Sequence, residues 1–148
     1  MKSSGDISEL LNNWEYDPDN HVRIIRAADG RQVLQVRQPL GIEQYELDGR
    51  PDGNRPFDRE SVLDAIEEHL REYVAARGSE EGFILSHEEF QLLQNEGVLY
   101  YYRYLILFQI SDFVRTARDT DHNLRICELV RRFVPDEDDR KAVSYTHL

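Results

Sequence analysis

The stretch that most constrains how this chain can fold is Ser86 to Val134. Leu99, Tyr100, Tyr101, Tyr102, Tyr104, Leu105, Ile106, Leu107, Phe108 and Ile110 follow one another with only Arg103 and Gln109 between them. This is the densest apolar run in the sequence, and it predicts a helix wrapped on several sides, with Leu105 and Phe108 in the core. Ser86-His87-Glu88-Glu89 places a glutamate three residues after a serine, the pattern of a capping box, so the helix is expected to start there. Ser111-Asp112 breaks the run, and a second, one-sided helix is expected over Phe113–Phe133.

The connection through Ile110-Ser111-Asp112-Phe113 resembles the turn of a single tetratricopeptide unit. The match is partial. Tyr104 stands where that repeat takes a small residue and Asn123 where it takes alanine. One such unit cannot form a solenoid, which needs about three.

Upstream, Ile7, Leu10, Leu11 and Trp14 have helical spacing, and Tyr16-Asp17-Pro18-Asp19-Asn20 ends that segment in a turn. Val22–Ala27, Gln32–Gln38 and Ile42–Leu47 read as three strands of an antiparallel meander. Asp29-Gly30 is expected to form a type I′ hairpin turn, which requires positive φ at both central residues. The segment Asp48–Phe57 holds Gly49, Gly53, Pro51 and Pro56 and reads as a structured connector or a sub-boundary at 48–57. Asp58 is expected to cap a helix running to Arg77, with Val62, Leu63, Ile66, Leu70, Tyr73 and Val74 on its apolar stripe and Gly78 as its left-handed stop. The predicted class is therefore α+β, a small three-stranded antiparallel sheet followed by three helices, the last two paired as a hairpin. Residues 1–142 are expected to form a single domain.

Charge narrows the function. There are 18 basic and 29 acidic side chains, a formal net charge of −11. That disfavours simple coating of nucleic acid or of anionic membranes. The charge is uneven, with a net of −8 over residues 58–97 and +2 over residues 98–134. Cys127 is the sole cysteine, so neither an intrachain disulfide nor a thiol cluster for zinc can form. A lone thiol fits a reducing compartment, and the first ten residues contain no apolar signal core, so a cytoplasmic location is expected. The apolar run is shorter than the ~20 residues needed to span a bilayer, and no membrane association is expected.

On the helix over Phe113–Phe133, Phe113, Ala117, Thr120, Leu124 and Cys127 fall in one narrow sector at 100° per residue. Arg115, Arg118, His122, Arg125 and Arg132 fall on roughly the opposite side. This basic stripe is the candidate binding site, either for phosphate or for an acidic partner surface. Alternatively it is a solvated face neutralised by the acidic helix ending at Arg77 or by Asp119 and Glu128. The run Tyr100-Tyr101-Tyr102 with Tyr104 spreads over several faces and fits packing better than a stacking platform.

Catalytic and metal motifs are missing from the sequence. Asp17-x-Asp19 begins like a calcium loop, but the twelfth position is Ala28 and the sixth is Val22 in place of glycine. Glu67-Glu68-His69 lacks the second histidine of a zinc helix, and no phosphate loop, dinucleotide fingerprint or Gly-x-Ser-x-Gly is present. No cofactor and no metal is expected, and the chain is not expected to be an enzyme.

Several phrases together carry a family resemblance. They are Trp14-Glu15-Tyr16, Gln35-Val36-Arg37, Gly49-Arg50-Pro51-Asp52-Gly53 with Arg55-Pro56-Phe57, Glu81-Gly82-Phe83, Tyr101-Tyr102-Arg103-Tyr104, Arg118-Asp119-Thr120 and Asn123-Leu124-Arg125. Over residues 7–134 the chain resembles the N-terminal region of uncharacterised bacterial proteins of the UVR-motif family. That motif is a short helical hairpin resembling one through which DNA-excision-repair subunits contact each other. The resemblance implies a protein-interaction module linked to DNA repair or stress response, and it carries over no site residue. The last six residues, Val143–Leu148, resemble a translated transposase sequencing adapter, so the natural chain is expected to continue past Ala142.

The expected function is thus a non-catalytic cytoplasmic interaction module whose partner is another protein. A nucleic-acid-associated protein using the basic stripe is the alternative, and an enzyme with an unrecognised site is the third. The sequence leaves the oligomeric state open.

Overall fold

The structure, a computed structural model, describes the backbone of residues 5–147 and the side chains through Ala142. It is α+β, a three-stranded antiparallel sheet followed by helices that include a long hairpin. The chain divides into two compact units, Met1–Asp48 and Gly49–Leu148. The division falls at the start of the glycine- and proline-rich connector.

The first unit contains helix α1 (Ser8–Asn13) and strands β1 (Val22–Arg26), β2 (Gln32–Gln38) and β3 (Gly41–Glu46), in the order β1-β2-β3. β2 is the central strand and carries the buried Val33, Leu34, Val36 and Arg37. Arg37 donates through Nε to the carbonyl of Trp14 at 2.6 Å, and the Arg23 guanidinium lies 3.9 Å from the centre of the Trp14 ring. Together they tie the segment after α1 to the sheet. The β1–β2 hairpin forms at Asp29-Gly30, but not through a type I′ turn. Gly30 alone has positive φ (92°), and its N–H donates to the Ala27 carbonyl at 2.9 Å. The loop is therefore three residues, Ala28 to Gly30, with the glycine taking the left-handed position that closes such loops.

The second unit opens with a single 3-10 turn, Pro56–Asp58, in which Phe57 and Asp58 both have positive φ (55° and 57°). These left-handed residues cannot start a helix, so the expected cap at Asp58 moves to Ser61. Helix α2 is Val62–Arg77, with Ser61 Oγ accepting the Asp64 N–H at 3.0 Å and Gly78 (φ 80°) closing the end. Helix α3 is His87–Gln109 and starts on the capping box. Ser86 Oγ accepts the Glu89 N–H at 3.1 Å, and the Glu89 carboxylate accepts the Ser86 N–H at 3.0 Å. Ser111, at φ 62°, makes the turn, and helix α4 runs Phe113–Phe133 with Asp112 as its cap. Helix α5, Glu137–His147, begins where the acidic run Asp136–Asp139 stood in the sequence. Asp136 Oδ1 accepts the N–H groups of Asp138 and Asp139 at 2.8 and 3.1 Å, and acidic residues in a first turn suit the helix dipole. The expectation about Val143–Leu148 falls on residues whose side chains lie outside those described.

The core of this unit joins α2, the Phe83–Leu85 segment, α3 and α4 through Leu63, Leu85, Leu93, Ile126, Val130 and their neighbours. Phe83 meets the rings of Tyr73 and Phe133 edge-on at 5.3 and 5.1 Å, the arrangement the aromatic quadrupole favours. The expectation that α3 is wrapped on several sides does not hold. Its buried residues, Phe90, Leu93, Glu96, Gly97, Tyr100, Arg103 and Leu107, form one stripe, and Leu105 and Phe108 lie outside it, exposed.

Candidate functional site

The predicted basic stripe is not a free row of cations. Arg115 pairs with Asp112 at 2.8 Å, Arg118 with Asp119 at 3.0 Å, Arg125 with Glu67 on α2, and Arg132 with Glu80. His122 is buried. Arg118 and Arg125 are thus neutralised by Asp119 and by α2, whereas Arg115 and Arg132 take Asp112 and Glu80 instead. The helix also sits the other way round from the expectation. Its buried stripe is Asp119, His122, Asn123, Ile126, Leu129, Val130 and Phe133, while Phe113, Ala117 and Leu124 are exposed.

Two polar clusters explain this inversion. Arg103, read in the sequence as an interruption of an apolar run, is completely buried and grips the equally buried Asp119. Its Nε donates to Oδ2 at 2.7 Å and its Nη2 to Oδ1 at 2.9 Å. A two-pronged geometry of this kind is the strongest form of ion pair open to arginine. The second cluster centres on Glu96, also completely buried. One oxygen accepts the N–H of Val62 at 2.7 Å and lies 3.3 Å from Arg50 Nη1. The other accepts the N–H of Leu63 at 3.1 Å and faces His122 Nε2 at 3.0 Å. Glu96 thereby satisfies the exposed donors at the start of α2 and interacts favourably with its dipole.

The ring of Tyr100 stacks flat on that of His122, centroids 3.6 Å apart with 1° between the planes, and the Arg103 guanidinium lies 4.9 Å from the Tyr100 centroid. Burial raises the Tyr100 phenol well above its ordinary value. The neighbouring Arg103 opposes that rise, and Glu96 and Asp119 add to it. Asn123 closes the row with a 3.0 Å hydrogen bond from its side-chain amide to the Gly97 carbonyl, holding α3 and α4 together.

Above these clusters lies a pocket of about 250 Å³ between α2, α3 and α4, with Tyr100, Arg103 and His122 in its wall. Three residues of the predicted stripe, Arg118, His122 and Arg125, meet there, whereas Arg115 and Arg132 do not line it. Sequence reasoning missed Glu96, Arg103, Asp119 and Tyr100. The available signal was the spacing Glu96, Tyr100, Arg103, Leu107, which marks one face of α3 and sets a glutamate and an arginine on it.

The outer side of the hairpin is the other distinctive surface. On α3, Tyr101, Tyr104, Leu105 and Phe108 share a face, and on α4 the uncharged sector from Phe113 through Leu124 to Cys127 does the same. Phe108 and Phe113 are each 60% exposed and Leu124 59%. Tyr101 and Tyr104 touch edge-on at 5.4 Å, and Phe108 and Phe113 do so at 5.7 Å across the turn. Partial burial raises the Tyr104 phenol and the Cys127 thiol above their ordinary values, so both are uncharged at neutral pH.

Among the described residues no helix is long and apolar enough to cross a membrane, and no group of three His, Cys, Asp or Glu residues is placed to hold a metal ion. No family model, curated protein or solved structure matches the chain.

Proposed function

We propose that this chain is a non-catalytic protein-interaction module whose docking surface is the outer face of the α3–α4 hairpin. The observation that carries this reading is the exposed, uncharged row Leu105, Phe108, Phe113 and Leu124, with the half-buried Tyr104 beside it, in a protein that is otherwise highly charged. Contiguous apolar surface of this kind marks interaction sites on soluble proteins.

The occupant is an amphipathic helix of a partner protein, with an apolar stripe and basic flanks. Two antiparallel helices leave a groove between them, and a third helix lays its apolar face into such a groove. From Phe113 to Cys127 the uncharged sector extends about 21 Å along α4, or four turns at the helical rise. Basic flanks are favoured by the long-range field of the net charge of −11, which draws cationic partners and repels a second copy of the same chain even though residues 98–134 themselves carry a net of +2. The likeness of the hairpin to one tetratricopeptide-like unit, and of the sequence to UVR-motif proteins, supports the same reading. On that resemblance the partner belongs to DNA repair or a stress response, in the cytoplasm.

The test uses labelled model helices sharing one apolar stripe and differing only in flanking charge. Fluorescence anisotropy should show binding by the basic-flanked helix, at least tenfold weaker binding by the acidic-flanked one, and loss of binding in the Phe108→Ser/Phe113→Ser variant. These positions are exposed, so the variant keeps its fold, which circular dichroism verifies. Equal weak binding by both helices, undiminished in the variant, would overturn the reading. Concentration-dependent dimerisation in light scattering, abolished by the same variant, would instead assign the face to a second copy.

A further inference from the structure

We infer that the sheet of the first unit carries a binding site for a small organic carboxylate, gripped by the guanidinium groups of Arg37 and Arg23 beside Trp14. All three residues belong to Met1–Asp48. The site uses neither helix of the hairpin and is independent of the interaction reading.

Arg37 carries it. The residue is only 6% exposed. The other buried arginine, aspartate and glutamate residues each face an opposite charge, Arg103 on Asp119 and Glu96 beside Arg50 at 3.3 Å. Among the described residues Arg37 alone of this group has no carboxylate at ion-pair distance. Its Nε donates to the Trp14 carbonyl at 2.6 Å and its Nη1 to the Gln38 carbonyl. Carbonyl dipoles brace the guanidinium but do not cancel its charge, and a buried charge is stable when an opposite one pairs with it. Nη2 makes no hydrogen bond within the protein and is not sealed from solvent, so that end of the fork is open to a ligand. The charge of an arginine is permanent, so the demand for an anion depends on neither tautomer nor pH.

Arg23 supplies the second charge. On β1 it pairs with Gln35 of β2, two residues before Arg37. Residues two apart on a strand share a face, and such diagonal cross-strand neighbours lie ~7–8 Å apart, within reach of long side chains. Arg23 Nε donates to Gln35 Oε1 at 2.7 Å, and its guanidinium lies 3.9 Å from the centre of the Trp14 ring. It too has no carboxylate at ion-pair distance, and Glu15, next in the chain to Trp14, is exposed and pairs with neither arginine. Two like charges from two strands thus converge on one tryptophan, whereas every arginine of α4 has a carboxylate partner. A planar carboxylate matches the guanidinium fork. As a single negative charge it is also repelled less than phosphate by a protein of net charge −11.

The experiment is an NMR titration of the whole chain with benzoate at physiological salt, following the indole N–H of Trp14, the single tryptophan, and the Nε–H of Arg23 and Arg37. Benzamide, which has the same shape without the charge, and inorganic phosphate serve as comparison probes. The expected result is a saturable shift of all three signals with benzoate, none with benzamide and weaker binding of phosphate. Arg23→Gln, at a half-buried position, should weaken benzoate by about tenfold, the effect of losing one favourable charge contact. Arg37→Gln should abolish binding. Circular dichroism checks the fold of each variant, and if Arg37→Gln does not fold, Arg23→Gln decides alone. A flat benzoate titration would overturn the proposal. So would a benzoate shift undiminished in Arg23→Gln, which places the anion elsewhere, and an equal response to benzamide, which makes the ring and not the charge the recognised group. Phosphate binding tighter than benzoate would overturn it as well, in favour of a phosphate site.

Discussion

Glu96, in the middle of α3, accepts the backbone N–H of Val62 at 2.7 Å, 34 positions earlier in the chain. A single buried carboxylate thus terminates a helix to which it does not belong, and the same group orients His122 on a third helix. Removing it strands two backbone donors and a histidine in a dry interior. Glu96→Ala is expected to destabilise the protein by about 3–5 kcal/mol, the range for breaking a buried charged network. Glu96→Gln keeps one acceptor oxygen and is expected to cost less. Urea denaturation of both variants measures the difference, and an alanine variant within 1 kcal/mol of the parent would show that Glu96 does not hold α2.

Arg103 and Asp119 form a pair with no solvent on either side. Arg103→Met alone leaves Asp119 buried with only Arg118 beside it, and is expected to cost about 3–5 kcal/mol. Arg103→Met with Asp119→Leu should recover most of that loss, because a buried pair is often replaceable by packed apolar side chains. The coupling energy from the double-mutant cycle is the readout. Additive losses would mean that the two side chains act separately.

The element map was largely legible in the sequence, because caps, turn residues and strand alternation are local signals. Ser86 with Glu89, Gly78, and Ser111-Asp112 all act where expected. The facing of the helices was not legible. A run such as Leu99–Ile110 is apolar all round and cannot state which side is inward, so the pattern alone places Leu105 and Phe108 in the core. The inward stripe is instead marked by Glu96, Tyr100, Arg103 and, on α4, Asp119, His122 and Asn123. These polar residues read as surface until one sees that they satisfy one another. Patterning assumes that charge faces water, and it fails where long-range pairs, separated by 16 to 34 positions, make burial tolerable.

The outward placement of Leu105 and Phe108 bears directly on stability. Leu105→Ala and Phe108→Ala are expected to change stability by less than about 1 kcal/mol each, as exposed substitutions do. Leu107→Ala, at a fully buried neighbour, should cost about 2–5 kcal/mol. Thermal or chemical denaturation of the three variants side by side checks this. A large loss at Phe108 would return the outer face of α3 to the core and remove the basis for docking there.

Asp112 links stability to pH. Burial works against its charge, but hydrogen bonds from the Arg115 side chain and backbone, and the Arg115 charge, hold its carboxyl below the ordinary value. A group whose pKa is depressed on folding contributes stability that is present above its unfolded pKa and is lost as pH falls through its folded pKa. Asp112→Ala should therefore cost about 1 kcal/mol at neutral pH, the usual worth of an N-cap. The gap between variant and parent should close as pH drops below the ordinary aspartate range. A gap that persists at low pH would place the contribution of Asp112 outside its charge.

The arginines of α4 decide the nucleic-acid alternative. Four phosphate contacts by Arg115, Arg118, Arg125 and Arg132 would give a slope of log affinity against log salt of about −3.6 on duplex DNA, through release of condensed counterions. Each of these guanidiniums already has a carboxylate partner, Asp112, Asp119, Glu67 or Glu80, and a phosphate would have to displace it. The net charge of −11 adds a long-range barrier to approach. Binding no tighter than ~10⁻⁴ M at physiological salt is the expected outcome for both single- and double-stranded DNA, the weak end of non-specific affinity. Fluorescence anisotropy across a salt series, repeated with the four arginines changed to alanine, measures it. Micromolar binding with a steep salt slope that vanishes in the variant would show that the ion pairs open for phosphate, and would put a nucleic-acid role ahead of protein docking.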